Sequence, residues 1–268
     1  MTRTLGWTLI DPLMQDYNGP EYDREEYASS PDYMLNCEGG SVQSYLGQYH
    51  EEVIRAKALK YLDEAVARGP PFFLYISTVA PHDAKGFGAF PQVPPAYRNL
   101  FPGAKAPRTG NWGIPSPSNI GFSSSRRNDF NETDIDGRFR ARVQALRAVD
   151  DTLDAILSRL ACHGQENNTV VVFTSDNGFK LGNHNMAQEK FTFYEEDVRV
   201  PLLMAGPGIP RGVFVPEVAA AMTDLSATVA AIAGWRCAAV RQRYYHPENE
   251  RADKRLAPAS LWKWVADK

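Results

Sequence analysis

The apolar run Val170-Val171-Val172-Phe173, followed almost at once by Ser175-Asp176-Asn177-Gly178, constrains the fold more than any other stretch of the chain. A strand that is apolar at every position needs cover on both faces, which a parallel sheet with helices on both sides supplies. In open α/β sheets ligands collect outside the carboxyl ends of the strands, so Asp176 and Asn177 stand where a site is expected. A carboxylate beside a carboxamide offers oxygen donors suited to a hard cation such as Ca²⁺ or Mg²⁺. The same tripeptide is also common turn chemistry, with Gly178 expected at positive φ. Farther along, His184 and Lys190 add groups able to face an oxyanion. Oxygen ligands for a cation, beside Lys and His, make a sensible place to hold a sulfate or phosphate ester.

Helical periodicity supplies the layers that such a sheet requires. Between Gln48 and Arg68, Ile54, Ala58, Tyr61, Leu62, Ala65 and Val66 recur at helical spacing, opposite Glu52, Arg55, Lys57 and Lys60. Gly69-Pro70-Pro71 stops this helix, and His50 near its start is expected on the surface or in a capping role. From Arg138 to Leu160, Phe139, Val143, Leu146, Val149, Leu153, Ile156 and Leu160 step by threes and fours, so a second helix is expected, ended by His163-Gly164. Asp150 and Asp151 lie within it, about 100° apart, and so do not share one ion. Their expected place is solvent or a neighbouring element.

Phe72 to Val79 reads as another buried parallel strand and leads into Ala80-Pro81-His82, again a polar group after a strand. Residues 83–137 hold much of the Pro and Gly, together with Arg126-Arg127, and read as a long connection without periodicity, functional or mobile rather than structural. A third strand is expected over Val200–Ala205, then the turn Gly206-Pro207-Gly208 and an extended segment over Val213–Val218. A helix capped by Thr223 or Asp224 follows, running through Ile232 to Gly234. The first 48 residues read as mostly irregular, and Ser260 to Ala266 as a local amphipathic helix.

Composition bounds the rest. The 268 residues, 43% hydrophobic, can bury a sizeable core, and a net charge of −3 without a basic run argues against nucleic acid. No apolar stretch is long enough to span a bilayer, and the N-terminal residues do not read as a signal peptide. Cys37, Cys162 and Cys237 show neither a disulfide framework nor zinc spacing, and each is expected to be an unremarkable thiol. Sequons at Asn131-Glu132-Thr133 and Asn167-Asn168-Thr169 are compatible with a secretory route.

Taken together, Asp176-Asn177-Gly178, Leu181-Gly182-Asn183-His184, Lys190, Tyr194-Glu195-Glu196 and Arg199-Val200-Pro201-Leu202 resemble, in order, the sulfatases of the alkaline-phosphatase superfamily. The Phe72–Tyr75 run ending in Pro81-His82 is similar to the same family, as are the Val149-Asp150-Asp151 and Asp224-Leu225 segments. Residues 1–234 are read as part of a sulfatase catalytic domain, the resemblance being clearest over 45–234, with 235–268 a divergent C-terminal tail. It implies an alkaline-phosphatase-like α/β sandwich with a mostly parallel central sheet flanked by helices, and its N-terminal part missing. It implies Ca²⁺ held by Asp176 and Asn177, and sulfate held by His82, His184 and Lys190. It further implies a small-molecule or saccharide sulfate ester as substrate, of the arylsulfatase or glucosamine-6-sulfatase kind, and a secreted, lysosomal or vacuolar setting.

The chain departs from the family pattern in three respects. The family's nucleophile is a formylglycine made in a C-x-P-x-R motif, and none of the three cysteines stands in one. No early Asp-Asp pair follows a strand, and the family's Lys-x-His segment is absent. A sulfate pocket without its nucleophile binds but does not form the covalent intermediate. The expectation is therefore a piece of a larger sulfuric ester hydrolase, silent when isolated. A phosphate or phosphonate monoester hydrolase and an inactive anion-binding remnant remain the alternatives.

Overall fold

The computed structural model describes residues 34–36, 41–43, 45, 47–83, 90–115, 130–188, 190, 192–215 and 220–234. Several sequence expectations lie outside these residues: most of the irregular first 48 positions, Cys37, Arg126-Arg127, Cys237, His246 and the Ser260–Ala266 helix. The chain divides into two compact units. One comprises Met1–Glu166 and Ser175–Pro201, the other Asn167–Thr174 and Leu202–Lys268.

The first unit opens with an antiparallel pair, β1 (Met34–Asn36) and β2 (Ser41–Gln43). Helix α1 (His50–Arg68) follows and ends at Gly69, as the Gly-Pro-Pro stop predicts. Helix α2 (Glu132–Cys162) is longer than its periodicity suggested, beginning at Glu132 because Asn131 caps it. The Asn131 side chain accepts from the Thr133 and Asp134 backbone N–H groups, satisfying donors that a helix start leaves open. The most buried stripe of α2 runs through Ile135, Arg138, Ala141, Ala145, Ala148 and Thr152, beside rather than along the large apolar positions. Small side chains there let α1 and α2 approach, with Val53, Ala58 and Leu62 buried on the α1 side. A local core joins Ala106, Ile135 and Leu181, against which Trp112, Phe130, Phe139 and Phe179 pack. Truncating Leu62 or Ile135, each 1% exposed, would cost about 2–5 kcal/mol.

His50 is a correction. It is buried, 5% exposed, in a tilted ring contact with Tyr49 and with its Nε2 3.5 Å from the Glu51 carboxylate. An imidazole next to a buried acid is taken into the core with it, a pairing that the helical pattern alone does not show. The Phe72–Val79 segment is also corrected. It is extended but belongs to no described ladder, and it alternates, with Phe73 and Tyr75 exposed. A buried parallel strand needs neighbours on both edges, which the described residues do not supply.

In the second unit, β3 (Val171–Thr174) pairs antiparallel with β4 (Leu202–Ala205), with Phe173 opposite Leu203. Every β3 residue is half-buried rather than enclosed, since β4 is the only described strand paired with it. Helix α4 (Met222–Ile232) starts earlier than expected, capped from Ala221. Asp224 reaches back to accept the Ala221 N–H at 2.8 Å, so it supports the cap from inside the first turn instead of forming it. The extended reading of Val213–Val218 is described only through residue 215.

Candidate active site

The predicted site residues all fall in the first unit, on segments tied together by a few buried groups. Here α3 (Glu195–Val198), a single helical turn, carries the organising side chain. Asp197 is 5% exposed and accepts from Lys180 Nζ at 2.8 and 2.7 Å, from the Thr192 N–H at 2.8 Å and from the Thr192 hydroxyl at 2.6 Å. Lys180 is itself fully buried and also donates to Thr192 Oγ1 at 2.9 Å. An ammonium and a carboxylate taken out of water together must satisfy one another completely, and these do. The Asp197 carbonyl accepts the Gly178 N–H at 2.7 Å. One residue thus fastens the Asp176-Asn177-Gly178 turn, Lys180 and Thr192.

Gly178 does not adopt positive φ, contrary to the turn expectation. It is required because a side chain there would collide with the Glu196 carbonyl. The turn is therefore shaped by close approach of α3. Asp176 is exposed; its Oδ1 accepts the Asn177 N–H at 2.9 Å, while Asn177 donates its Nδ2 to the Gly178 carbonyl at 2.8 Å. That leaves the Asp176 Oδ2 and Asn177 Oδ1 without hydrogen-bond partners among the described residues, the donor chemistry a hard cation takes. They would be part of a coordination shell. Among the described residues no cluster of three or more His, Cys, Asp or Glu could hold a metal ion.

His184 is held on a tight loop. Its φ is +56° and that of Asn185 +57°, and the His184 N–H donates to the Asn111 carbonyl at 2.9 Å. The imidazole stacks on Tyr194, ring centroids 3.8 Å apart, with Nε2 3.1 Å from Asn111 Nδ2 and 3.4 Å from Glu196 Oε2. Gly182 closes the loop at φ +90°, where a Cβ would strike the Trp112 indole. Although burial opposes it, the Glu196 carboxyl sits below its ordinary value because Asn111 donates to it at 2.6 Å.

His82 is exposed, with Nδ1 2.8 Å from the Asp83 carbonyl, and follows the cis Ala80–Pro81 peptide. The chain on either side of it is clamped. Glu51 Oε1 accepts the Val79 and Ala80 N–H groups, each at 2.8 Å. Asp83 accepts from buried Arg138 at 2.9 Å and from Arg142 at 3.4 Å, and the Arg142 guanidinium lies 4.2 Å over Phe179, next to Gly178. Burial raises the Glu51 carboxyl above its ordinary value, opposed by those two backbone donors.

Separate contacts link the Asp176-Asn177-Gly178 turn to Thr192 through Asp197, the His184 ring to Tyr194, and Asp83 after His82 to Phe179 through Arg142. Asp176, Asn177, His82 and His184 do not bond to one another. Sequence reasoning missed the residues that do the fastening: Lys180, Asp197, Asn111, Glu51, Asp83 and Arg142. Asp197 directly follows Glu195-Glu196, and an acid run beside a lysine-bearing loop was the available signal. Nothing local pointed to Asn111.

The described helices and short strands are those of an α/β protein. A sulfatase family model matches residues 14–235, and the chain belongs to the sulfatase family. It is 33% identical over 234 residues to the sulfatase ppz1 of Metarhizium majus, covering 85% of this chain and 52% of that protein. It is 30% identical over 228 residues to an arylsulfatase of Volvox carteri, covering 76% of this chain and 33% of the relative. N-acetylglucosamine-6-sulfatase of Capra hircus is 33% identical over 220 residues, which are 80% of this chain and 38% of that one. Among solved structures, the Bacteroides fragilis protein yidJ, a sulfatase by name, superposes with a TM-score of 0.62 at 26% identity, over 78% of this chain and 42% of its own. The protein BT4656, solved with its substrate D-glucosamine-2-N,6-O-disulfate, superposes at 0.61 with 18% identity, over 77% of this chain and 52% of its own, and supports the fold alone. The alkaline-phosphatase-like α/β class is thus the fold of this chain, which spans a third to a half of the length of these curated relatives.

Proposed function

We propose that this chain provides the oxyanion-holding wall and part of the cation site of a sulfate ester hydrolase acting on an aryl or sugar sulfate. The observation that supports the reading is the single fastening at Asp197, which holds both the Gly178 N–H that follows Asp176-Asn177 and Thr192, two residues past Lys190. Asp176 and Asn177 would supply oxygen ligands to Ca²⁺, which when bound polarises an ester oxygen. Lys190, His82 and His184 present donors to the sulfate oxygens and to the leaving oxygen as it gains charge. In this reading His82 owes its aim to the Glu51 and Arg138–Asp83–Arg142 clamps. The named relatives are sulfatases, and no observation favours a phosphate ester.

The setting we propose is secretory or beyond, supported by the exposure of both sequon asparagines, Asn131 and Asn167. No helix of the described residues is long and apolar enough to cross a membrane.

The test is binding and turnover by the full 268-residue chain with Ca²⁺ present. Inorganic sulfate should bind in the millimolar range, and Lys190→Ala should weaken it about tenfold, the loss of one charge-assisted hydrogen bond. Neither p-nitrophenyl sulfate nor p-nitrophenyl phosphate should turn over. Sulfate affinity that ignores Lys190→Ala, or hydrolysis of the phosphate ester, would overturn the reading.

A further inference from the structure

Beside the candidate ligands lies a directed chain of hydrogen bonds whose two ends have unambiguous polarity. At one end the Leu181 backbone N–H, which can only donate, meets Asn183 Oδ1 at 3.3 Å. Asn183 must therefore turn its Nδ2 outward, and it donates to Asn111 Oδ1 at 3.0 Å and to Thr109 Oγ1 at 2.9 Å. The Thr109 hydroxyl in turn donates to the same Asn111 Oδ1 at 2.7 Å. At the other end stands the Glu196 carboxylate, an acceptor only, which takes a hydrogen from Asn111 Nδ2 at 2.6 Å. Both ends agree, so the Asn111 amide has one orientation, with its NH₂ group toward Glu196 and His184.

That orientation decides which ring nitrogen of His184 carries the proton. Nε2 lies 3.1 Å from Asn111 Nδ2, a donor, and must accept. A hydrogen on Nε2 would face the amide hydrogens in order to reach Glu196 Oε2 at the longer distance of 3.4 Å. Glu196 Oε2 is buried and makes no hydrogen bond among the described residues, as expected if Nε2 does not donate to it. We infer that Asn183, Asn111 and Glu196 hold uncharged His184 as the Nδ1–H tautomer, so that it serves as a hydrogen-bond donor to a sulfate oxygen through Nδ1 and is denied the role of base through Nε2. The donor role rests on the sulfate reading above; the tautomer does not. Asn111 is then a positioning residue, acting through the ring. Tyr194 stacked on the imidazole and the Asn111 carbonyl bonded to the His184 N–H keep the ring from turning over to exchange its nitrogens.

The experiment is a long-range ¹H–¹⁵N correlation of the labelled full chain at about pH 8, above the ordinary imidazole range, with His184→Gln identifying the resonance. The expected spectrum places the His184 proton on Nδ1. In Asn111→Asp, whose carboxylate accepts where the amide donated, the proton should move to Nε2; Asn111→Ala should move it too, toward Glu196. If both variants fail to fold, the wild-type spectrum alone decides. A wild-type His184 protonated on Nε2 overturns the inference, and does so without touching the sulfate reading if sodium sulfate still shifts the Lys190 and His82 resonances. An Nδ1–H resonance that shifts on sulfate addition while the proton stays on Nδ1 supports both. An Nδ1–H tautomer with no sulfate response at His184, Lys190 or His82 overturns the donor role and the sulfate reading together, leaving only the tautomer.

Discussion

Asp197 and Asp63 are built from the same chemistry and do different things. Each carboxylate gathers two partner residues: Lys180 and Thr192 at Asp197, Arg159 and His163 at Asp63. At Asp197 the ion pair has side chains 0% and 4% exposed, whereas at Asp63 the partners are 38% and 31% exposed and the aspartate 39%. Water can replace any partner at Asp63 and none at Asp197. Burial therefore turns one cluster into the fixed point of the site, while the other only ties α1 to the C-terminal turn of α2. The Asp63 carboxyl is held below its ordinary value by the His163 and Arg159 hydrogen bonds, but in solvent that shift converts to little.

The sharpest way to break the comparison is at the buried end. Asp197→Ala leaves the Lys180 ammonium enclosed without a counter-charge and frees Thr192 and the Gly178 turn at once. A loss of about 3–5 kcal/mol is expected, read as a fall in the urea midpoint. The double variant Lys180→Met with Asp197→Leu should recover much of that stability, because well-packed apolar residues can replace a buried pair. Its sulfate binding should stay impaired, since stability alone does not restore the position of Lys190. Full recovery of sulfate affinity in the double variant would show that Asp197 stabilises the unit without aiming the site.

These two aspartates also mark what the sequence makes legible. The helices were visible because their periodicity is local, and the site segments because Asp-Asn-Gly, the His184 loop and Pro-His are contiguous strings. The fastening residues were not, because each acts across a long span: Lys180 on Asp197, Asn111 on His184, Glu51 on the backbone before His82. Burial of an acid or a lysine is invisible in a pattern that scores both as polar. His50 was misread for that reason, and Gly178 because the approach of the Glu196 carbonyl cannot be seen from the turn itself. The exposed alternation of Phe73 and Tyr75 was hidden by an apolar run that a strand with neighbours on both edges would have enclosed.

A middle case sharpens the contrast. Glu51 is as enclosed as Asp197, 1% exposed, but its Oε1 is served by backbone donors. Burial raises its carboxyl above the ordinary 4.5. A raised folded-state value means that its stability contribution is fully present below 4.5 and is lost as pH climbs through the raised value. Glu51→Gln keeps an oxygen for the Val79 and Ala80 N–H groups and does not ionise. The variant should match wild type in acid and exceed it increasingly toward neutral pH, as followed by denaturation midpoints across that window. A constant gap at every pH would show that the Glu51 carboxyl ionises alike in the folded and unfolded chain, so that burial does not raise it. His82 should keep its sulfate response in the variant, since the backbone clamp is intact.

The smallest effect is expected at the exposed end. In Asp63→Asn the amide can still accept a hydrogen bond from Arg159 or His163, and what disappears is a Coulomb attraction that water and salt already screen. The folded-state value of the Asp63 carboxyl is depressed, so whatever it contributes is present above its unfolded value and fades as pH falls through the lower one. A difference in midpoint between wild type and Asp63→Asn should therefore be small at neutral pH and low salt, vanish on acidification and also vanish in molar salt, with sulfate binding unchanged throughout. A large, salt-resistant loss would mean that the carboxylate is screened from solvent after all. The two clusters would then differ in location alone, and the claim that enclosure makes Asp197 the fixed point would lose its control.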